Sequence, residues 1–385
     1  MTRKIEAKVM IIGAGIGGMA AALALQRRGF SVAVYERSKE IREVGAGVII
    51  TANARRALRD LGVDAALEAL SNTIEVFHTC HYETGAILRA VPNEEIRQKV
   101  GIASLGVHRA DLHKVLMDAV LANDPDCLHA NCQFVGLEQD SLGVTARFSS
   151  GATARADVLI GADGNVSAVR SFLFPDEAPK FAGQVAFRSL IPDALVPESI
   201  RRRVSVMSAG PGRYLLSYPL RGGEIMNLVG LVQSDTWEEE GWAIPATNEE
   251  FVKAYAGYEP DLLTLIRNIP ENNLFKWGLR DREPLKTWTV GRVTMLGDAA
   301  HPMTPFLGQG ACMALEDALL LGRAFSASQS VSEAFRRYED ARRPRGTLVQ
   351  LSSREEGLTL QDPNKRRRTA QDRGLLDYDP ATVPV

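Results

Sequence analysis

Ala7 to Glu36 reads AKVMIIGAGIGGMAAALALQRRGFSVAVYE, and this stretch decides the fold. AKVMII is a short apolar run rich in β-branched residues, GAGIGG follows it, and MAAALALQRRG places apolar residues at helical spacing up to Gly29. The order is strand, glycine turn, helix, and Ser31 to Tyr35 is a second strand that delivers Glu36 at its end. Each glycine has a separate duty. Gly13 permits the sharp turn, Gly15 lets backbone approach a pyrophosphate, and Gly18 lets helix and strand pack closely, while the helix start offers free N–H groups to phosphate. Glu36 lies 23 positions after Gly13 (36 − 13), where a carboxylate accepts hydrogen bonds from an adenosine ribose. Strand, helix and acidic residue together make this a dinucleotide site, and at this point the cofactor is NAD or FAD.

The bulk composition narrows the class. The chain has 385 residues, 45% of them hydrophobic, with a formal net charge of −2, enough for a large core and two domains and without the basic excess that nucleic-acid or anionic-membrane binding requires. Its four cysteines, Cys80, Cys127, Cys132 and Cys312, form no CxxC pair, no zinc spacing and no disulfide framework. The apolar run near the N-terminus is too brief for a signal segment, and no run reaches the ~18 apolar residues of a membrane span. The expectation is a cytoplasmic protein, monomer or homodimer, that works on a small molecule without a metal.

Two later motifs repeat the opening grammar. Val158 to Gly164 (VLIGADG) is an apolar strand ending in a glycine-flanked aspartate, followed by Ser167 and Arg170. Arg292 to Gly310 (RVTMLGDAAHPMTPFLGQG) is another strand with its turn, and Ala311 to Arg323 reads as an apolar-faced helix. With GAGIGG, GADG at 161–164 and GDAAHPMTPFLGQG at 297–310 in this order and spacing, the chain resembles the class A flavoprotein monooxygenases, the family of para-hydroxybenzoate hydroxylase. Similarity is closer to the subgroup of salicylate hydroxylase, 3-hydroxybenzoate 6-hydroxylase and 6-hydroxynicotinate 3-monooxygenase. It runs through EVGAGV (43–48), HRADLH (108–113), YPLRGGE (218–224) and LRDREPL (279–285).

The resemblance implies an α/β fold, α+β overall: a Rossmann-like FAD-binding domain with a mixed or antiparallel substrate sheet. It implies FAD as cofactor, with NADH or NADPH as co-substrate and a flavin C4a-hydroperoxide formed from O2 that hydroxylates an aromatic ring. The substrate class it suggests is a hydroxylated aromatic or pyridine carboxylate, with or without loss of the carboxyl group. Gly13, Gly15, Gly18, Glu36 and Arg37 would hold the ADP part, Gly47 and Val48 would line the flavin, and Arg109 would stand near its phosphate and ribityl chain. Asp298 would bind the ribityl or pyrophosphate region, Gly310 and Ala311 the flavin ring, and Asp163 would support FAD and the nicotinamide donor.

On the substrate side, 181–284 changes to shorter alternating runs such as GQVAFRSLI, RYLLSYPL and IMNLVGLV, which read as antiparallel strands over the site. Where some relatives carry a histidine, this chain has Tyr214, with Tyr218 four residues on and hence on the same strand face. Tyr218 and Tyr214 are the catalytic candidates, Gln309 a further one. Arg188 and Arg213 are candidates for a substrate carboxylate, and Pro305 for the pocket wall. His301 reads as a structural histidine.

The expected FAD-binding domain is discontinuous, 1–75, 101–180 and 285–350, with a substrate domain from 76–100 and 181–284 and a C-terminal helix and tail from 351–385. KRRR at 365–368 reads as a solvated basic surface. An FAD oxidase or dehydrogenase of the same fold, and a non-catalytic FAD-binding redox protein, are the competing functions.

Overall fold

The computed structural model describes residues 5–40, 46–202, 204–237, 244–359 and 367–385. The opening stretch folds as read: strand Lys8–Ile12, helix Ile16–Gln26 and strand Ser31–Tyr35. These belong to a five-stranded sheet whose order is Val293–Met295, Val158–Gly161, Lys8–Ile12, Ser31–Tyr35, Leu128–His129, with every pairing parallel. All three dinucleotide-type strand ends therefore emerge on one edge of one sheet, which is where doubly wound folds hold ligands. Ile16 and the run Gly18–Leu25 are buried almost throughout, because the helix is sandwiched between the sheet and the helix Gly310–Ala327. That second contact is close: a Cβ on Gly322 would stand 3.0 Å from the Ala24 carbonyl oxygen.

The second large sheet has eight strands, running Ile244–Pro245, Leu274–Asp281, Lys180–Pro192, Ile225–Gln233, Arg213–Leu220, Ser205–Gly210, Val76–His81, Ile87–Pro92. It is antiparallel apart from one parallel pairing, Ser205–Gly210 with Val76–His81, so the sheet is mixed as the sequence led us to expect. One face carries the helices Asn248–Ala254 and Pro260–Arg267, through Phe251, Tyr255, Leu262 and Leu265. The other faces the dinucleotide-binding half of the molecule. The small sheet Gly47–Ile50, Leu105–His108, Asn72–Thr73 joins the two halves, and the Gly47 N–H donates to Asn227 Oδ1 at 2.8 Å.

Helix Val331–Leu358 spans 28 residues and runs across position 350, where the sequence placed a boundary. Residues 367–385 then return over the body as a strap. Arginines of the body grip its carbonyls: Arg56 donates to Leu376 O and Tyr378 O (2.7 and 3.0 Å), Arg345 to Leu375 O (3.0 Å) and Arg323 to Pro380 O (2.6 Å). Among the described residues no helix is long and apolar enough to cross a membrane.

Candidate active site

The glycine turn shows three different constraints. Gly13 has φ +105° and a Cβ there would lie 2.5 Å from the Ala162 carbonyl oxygen; a Cβ on Gly18 would lie 1.9 Å from the Gly13 carbonyl oxygen. Both positions exclude a side chain for packing reasons. Around Gly15 a Cβ would meet nothing within 4 Å, so that position is open, and it is the N-cap of a helix that no side chain caps. The first-turn amides are thus left for an anion. Glu36 is fixed beside them, its Oε2 accepting from Ala14 N and its Oε1 from Ser38 N, both at 2.9 Å, with Arg37 exposed next to it. Buried His113 supports the turn from below, its Nε2 2.6 Å from the Ala14 carbonyl oxygen.

Opposite this turn stand Asp298 and the start of helix Gly310–Ala327, which also lacks a side-chain cap. A Cβ on Gly310 would be 3.9 Å from Asp298 Oδ1, which puts the carboxylate at the positive end of the helix. Asp298 is exposed between buried Gly297 and Ala299, with protein close around it. Burial pushes its carboxyl up, against the pull of His301 and Arg109. Arg109 begins helix Arg109–Asn123 and its N–H donates to the Ala46 carbonyl at 2.8 Å. This anchors the segment that carries Gly47 and Val48. Asp163 is also pushed up by burial, opposed by its bonds to Ser167 and the Val169 N–H. It ties down the turn after its strand.

The substrate-side residues meet on one sheet face. The strand registers place Tyr214 across from Leu231 and then Ala186, Leu216 across from Val229 and then Arg188, and Tyr218 across from Asn227 and then Leu190. Arg188 therefore stands between the two tyrosines. Burial, and secondarily Arg109, push its pKa down, with the tyrosines opposing. Its guanidinium lies 5.8 Å from the Trp277 ring centre, and among the described residues it has no carboxylate partner. Tyr214 and Tyr218 are 4% and 3% exposed, and burial pushes both hydroxyls upward despite Arg188. Both stay protonated at neutral pH. A cavity of about 210 Å³ opens against this face, lined by Thr51, Phe77, Met207, Tyr214, Leu216, Pro305 and Phe306 among others. A larger cleft of about 450 Å³ lies beyond Phe306, between Lys180, Arg282 and Arg354 and the acids Asp176, Glu177, Asp281 and Glu283. Asp281, Arg282 and Glu283 of the LRDREPL motif line it, but none of the candidate catalytic, cofactor or substrate residues does.

Three expectations change, and a fourth residue gains a partner. Arg213 alternates to the far face, where it donates to the Ala254 carbonyl and lies 5.7 Å from the Tyr258 ring centre; residues 213 and 214 of one strand cannot share a face. Gln309 is 2% exposed and its amide is used up, donating to Thr51 Oγ1 at 3.1 Å and accepting from Asn53 Nδ2 at 3.0 Å. It holds the helix start in place and does not reach the cavity. His301 is structural as expected, but it has the partner the sequence did not disclose: Nε2 lies 2.5 Å from Asp317 Oδ2, and Asp317 Oδ1 accepts from Arg342 Nε at 2.7 Å, all fully enclosed. The basic run at 365–368 is not simply solvated: Lys365 and Arg366 lie outside the described residues, Arg368 is exposed, and Arg367 is half-buried in the cavity wall.

Comparison with known proteins adds the family. The FAD binding domain family matches residues 6–352. The chain is 37% identical to 3-hydroxybenzoate 6-hydroxylase of Polaromonas naphthalenivorans, over 91% of this chain and 87% of that protein. It is 33% identical to 6-hydroxynicotinate 3-monooxygenase of Bordetella bronchiseptica, over 90% of each. Among solved structures, Klebsiella pneumoniae HpxO complexed with FAD and uric acid superposes with a TM-score of 0.84 at 27% identity, over 97% of this chain and 93% of that one.

Proposed function

The chain belongs to the FAD binding domain family of FAD-dependent aromatic monooxygenases, and we propose that its substrate is a hydroxylated aromatic or pyridine carboxylate. Salicylate, 3-hydroxybenzoate and 6-hydroxynicotinate exemplify the class. The observation that carries this reading is Arg188: a half-buried guanidinium whose Nε is enclosed and unbonded, without a carboxylate partner among the described residues, set between two tyrosines on the face that borders a largely apolar cavity. A buried cation is expensive unless an anion meets it, and a planar fork suits a carboxylate or phenolate.

The residues fit FAD. The open position at Gly15, the two uncapped helix starts and the Glu36 and Asp298 carboxylates supply an anion cradle and hydroxyl acceptors along one sheet edge. In our reading Gly13, Gly15, Gly18, Glu36 and Arg37 hold the ADP part, Arg109, Asp163 and Asp298 the middle, and Gly47, Val48, Gly310 and Ala311 the flavin. Bound FAD, reduced by NADH or NADPH, supplies the activated oxygen for the ring. The chain supplies orientation and charge. Arg188 favours the ionised substrate electrostatically, and the protonated Tyr214 and Tyr218 donate to substrate oxygens and do not abstract a proton from them. Pro305, Phe306 and Leu216 keep the ring dry.

The test is a screen of the FAD-loaded enzyme with those three acids for stimulated oxidation of NADH or NADPH. Stimulation by at least one acid is expected. No stimulation by any of them removes the substrate class.

A further inference from the structure

The strap brings Arg367 to the wall of the cavity. Arg367 Cζ lies 4.7 Å from the centre of the Tyr214 ring, on the face that also carries Arg188. A guanidinium over an aromatic face keeps its in-plane N–H groups available for acceptors. Glu356 takes one edge, with Arg367 Nε donating to its Oε1 at 3.1 Å. Nη1 is buried and has no hydrogen-bond partner among the described residues.

Glu356 does not neutralise Arg367 alone. Its carboxylate, 1% exposed, also accepts from Arg373 Nη2 and from the Arg368 N–H, each at 3.1 Å. Its single charge is thus divided between two guanidinium groups, and among the described residues it is the one carboxylate lining a cavity that also presents Arg89, Arg367 and Arg368. The rest of the lining is largely apolar, including Phe77, Val91, Ile96, Met207 and Leu376. Arg367 is held in place by its neighbours on the strap. Asp372 receives both terminal nitrogens of Arg89 (3.2 and 3.1 Å) and the Thr369 N–H (3.0 Å), and Arg373 pairs with Glu355 at 3.0 Å. A preorganised, partly unsatisfied cation at the end of an apolar slot recognises the anionic end of a flat ligand.

We propose that Arg367, delivered by the C-terminal strap, is the specificity-determining cation that binds the carboxylate of the aromatic substrate at the Tyr214 end of the cavity. This rests on the aromatic-acid reading above. It assigns two cations to two jobs: Arg188, near Arg109, faces the oxygen at the reacting end of the ring, and Arg367 faces the carboxylate.

The experiment compares each acid with its neutral carboxamide: 3-hydroxybenzoate with 3-hydroxybenzamide, salicylate with salicylamide, 6-hydroxynicotinate with 6-hydroxynicotinamide. Each is titrated into FAD-loaded wild type, Arg367→Gln and Arg367→Lys, and binding is read from the perturbation of the flavin absorbance. In Arg367→Gln the Kd of the bound acid rises roughly 10-fold or more, while that of its amide changes by less than about 2-fold. Arg367→Lys, which keeps the charge and loses the fork, lies between wild type and Arg367→Gln for the acid. Equal weakening of acid and amide, an unchanged acid Kd, or Lys as weak as Gln overturns the assignment. If none of the three acids perturbs the wild type, the aromatic-acid reading fails and takes this assignment with it. If an acid binds wild type and Arg367→Gln equally, this assignment alone fails.

Discussion

Gly15 and Gly18 sit three residues apart in one turn, yet substitution by alanine acts on different properties. At Gly15 the backbone is extended (φ −70°, ψ −176°), and an added Cβ meets nothing within 4 Å. Gly15→Ala therefore leaves the FAD-free protein within about 1 kcal/mol of wild type, the small stabilisation from a less disordered unfolded chain set against a poorer N-cap. That Cβ occupies the approach to the first-turn amides. Separation of the pyrophosphate from the helix end and loss of one charge-assisted hydrogen bond together cost at least about 3 kcal/mol, roughly 100-fold in FAD affinity. At Gly18 the Cβ would stand 1.9 Å from the Gly13 carbonyl oxygen, and relieving the overlap means moving the helix off the turn. Gly18→Ala loses about 3 kcal/mol or more of folding stability in the FAD-free protein, at the upper end of overpacking costs. Thermal unfolding of the FAD-stripped proteins and fluorescence titration with FAD separate the two effects. A Gly15→Ala variant with wild-type FAD affinity, or one as unstable without FAD as Gly18→Ala, refutes the reasoning.

Three further outcomes follow from the same geometry. Tyr218→Phe removes a buried donor and lowers coupled hydroxylation by about 10-fold or more, with the lost reducing equivalents appearing as hydrogen peroxide; wild-type rate and coupling remove Tyr218 from the mechanism. Asp317→Asn removes the anion shared by Arg342 and His301, leaves Arg342 its pair with Glu316 at 2.7 Å, and destabilises the fold by about 2–3 kcal/mol, read by chemical denaturation; a loss below about 1 kcal/mol contradicts the network's role. Burial raises the Asp372 carboxyl, but its bonds to Arg89 and Thr369 prevail and bring it down to about 2. A lowered folded-state pKa gives stability that is fully present above the unfolded value near ~4 and is lost as pH falls toward 2. Hydrogen exchange across 369–376 accelerates over that window in wild type, and acceleration at the same pH in Asp372→Asn assigns the effect to another group.

The dinucleotide-binding fold was legible because its signals are local, while FAD rather than NAD came from the resemblance of three motifs spread along the chain. The demands on Gly13, Gly15 and Gly18 arise from residues within one strand–turn–helix and one neighbouring strand, so spacing alone exposed them. The tyrosine pair was legible because alternation along a strand is a strict rule, and the same rule applied to Arg213 would have turned it away from the substrate. What escaped the sequence depends on contacts between distant segments. Gln309 is held by Thr51 and Asn53 from the other end of the chain. His301 finds its anion on the helix after the next turn, a spacing set by how the loop folds back. Arg367 reaches Tyr214 only because a strap follows the long C-terminal helix back over the body, and four basic residues in a polar tail carry no sign of that path.

We propose that this chain uses FAD and O2 to place one oxygen atom on an aromatic acid. This is tested most directly by turnover under ¹⁸O2 with the acid that best stimulates NADH or NADPH oxidation, followed by mass spectrometry of the product. The expected product carries one ¹⁸O in the new hydroxyl group and forms with consumption of the nicotinamide. A product without the label, or oxidation of the nicotinamide that yields hydrogen peroxide alone with every acid, contradicts it.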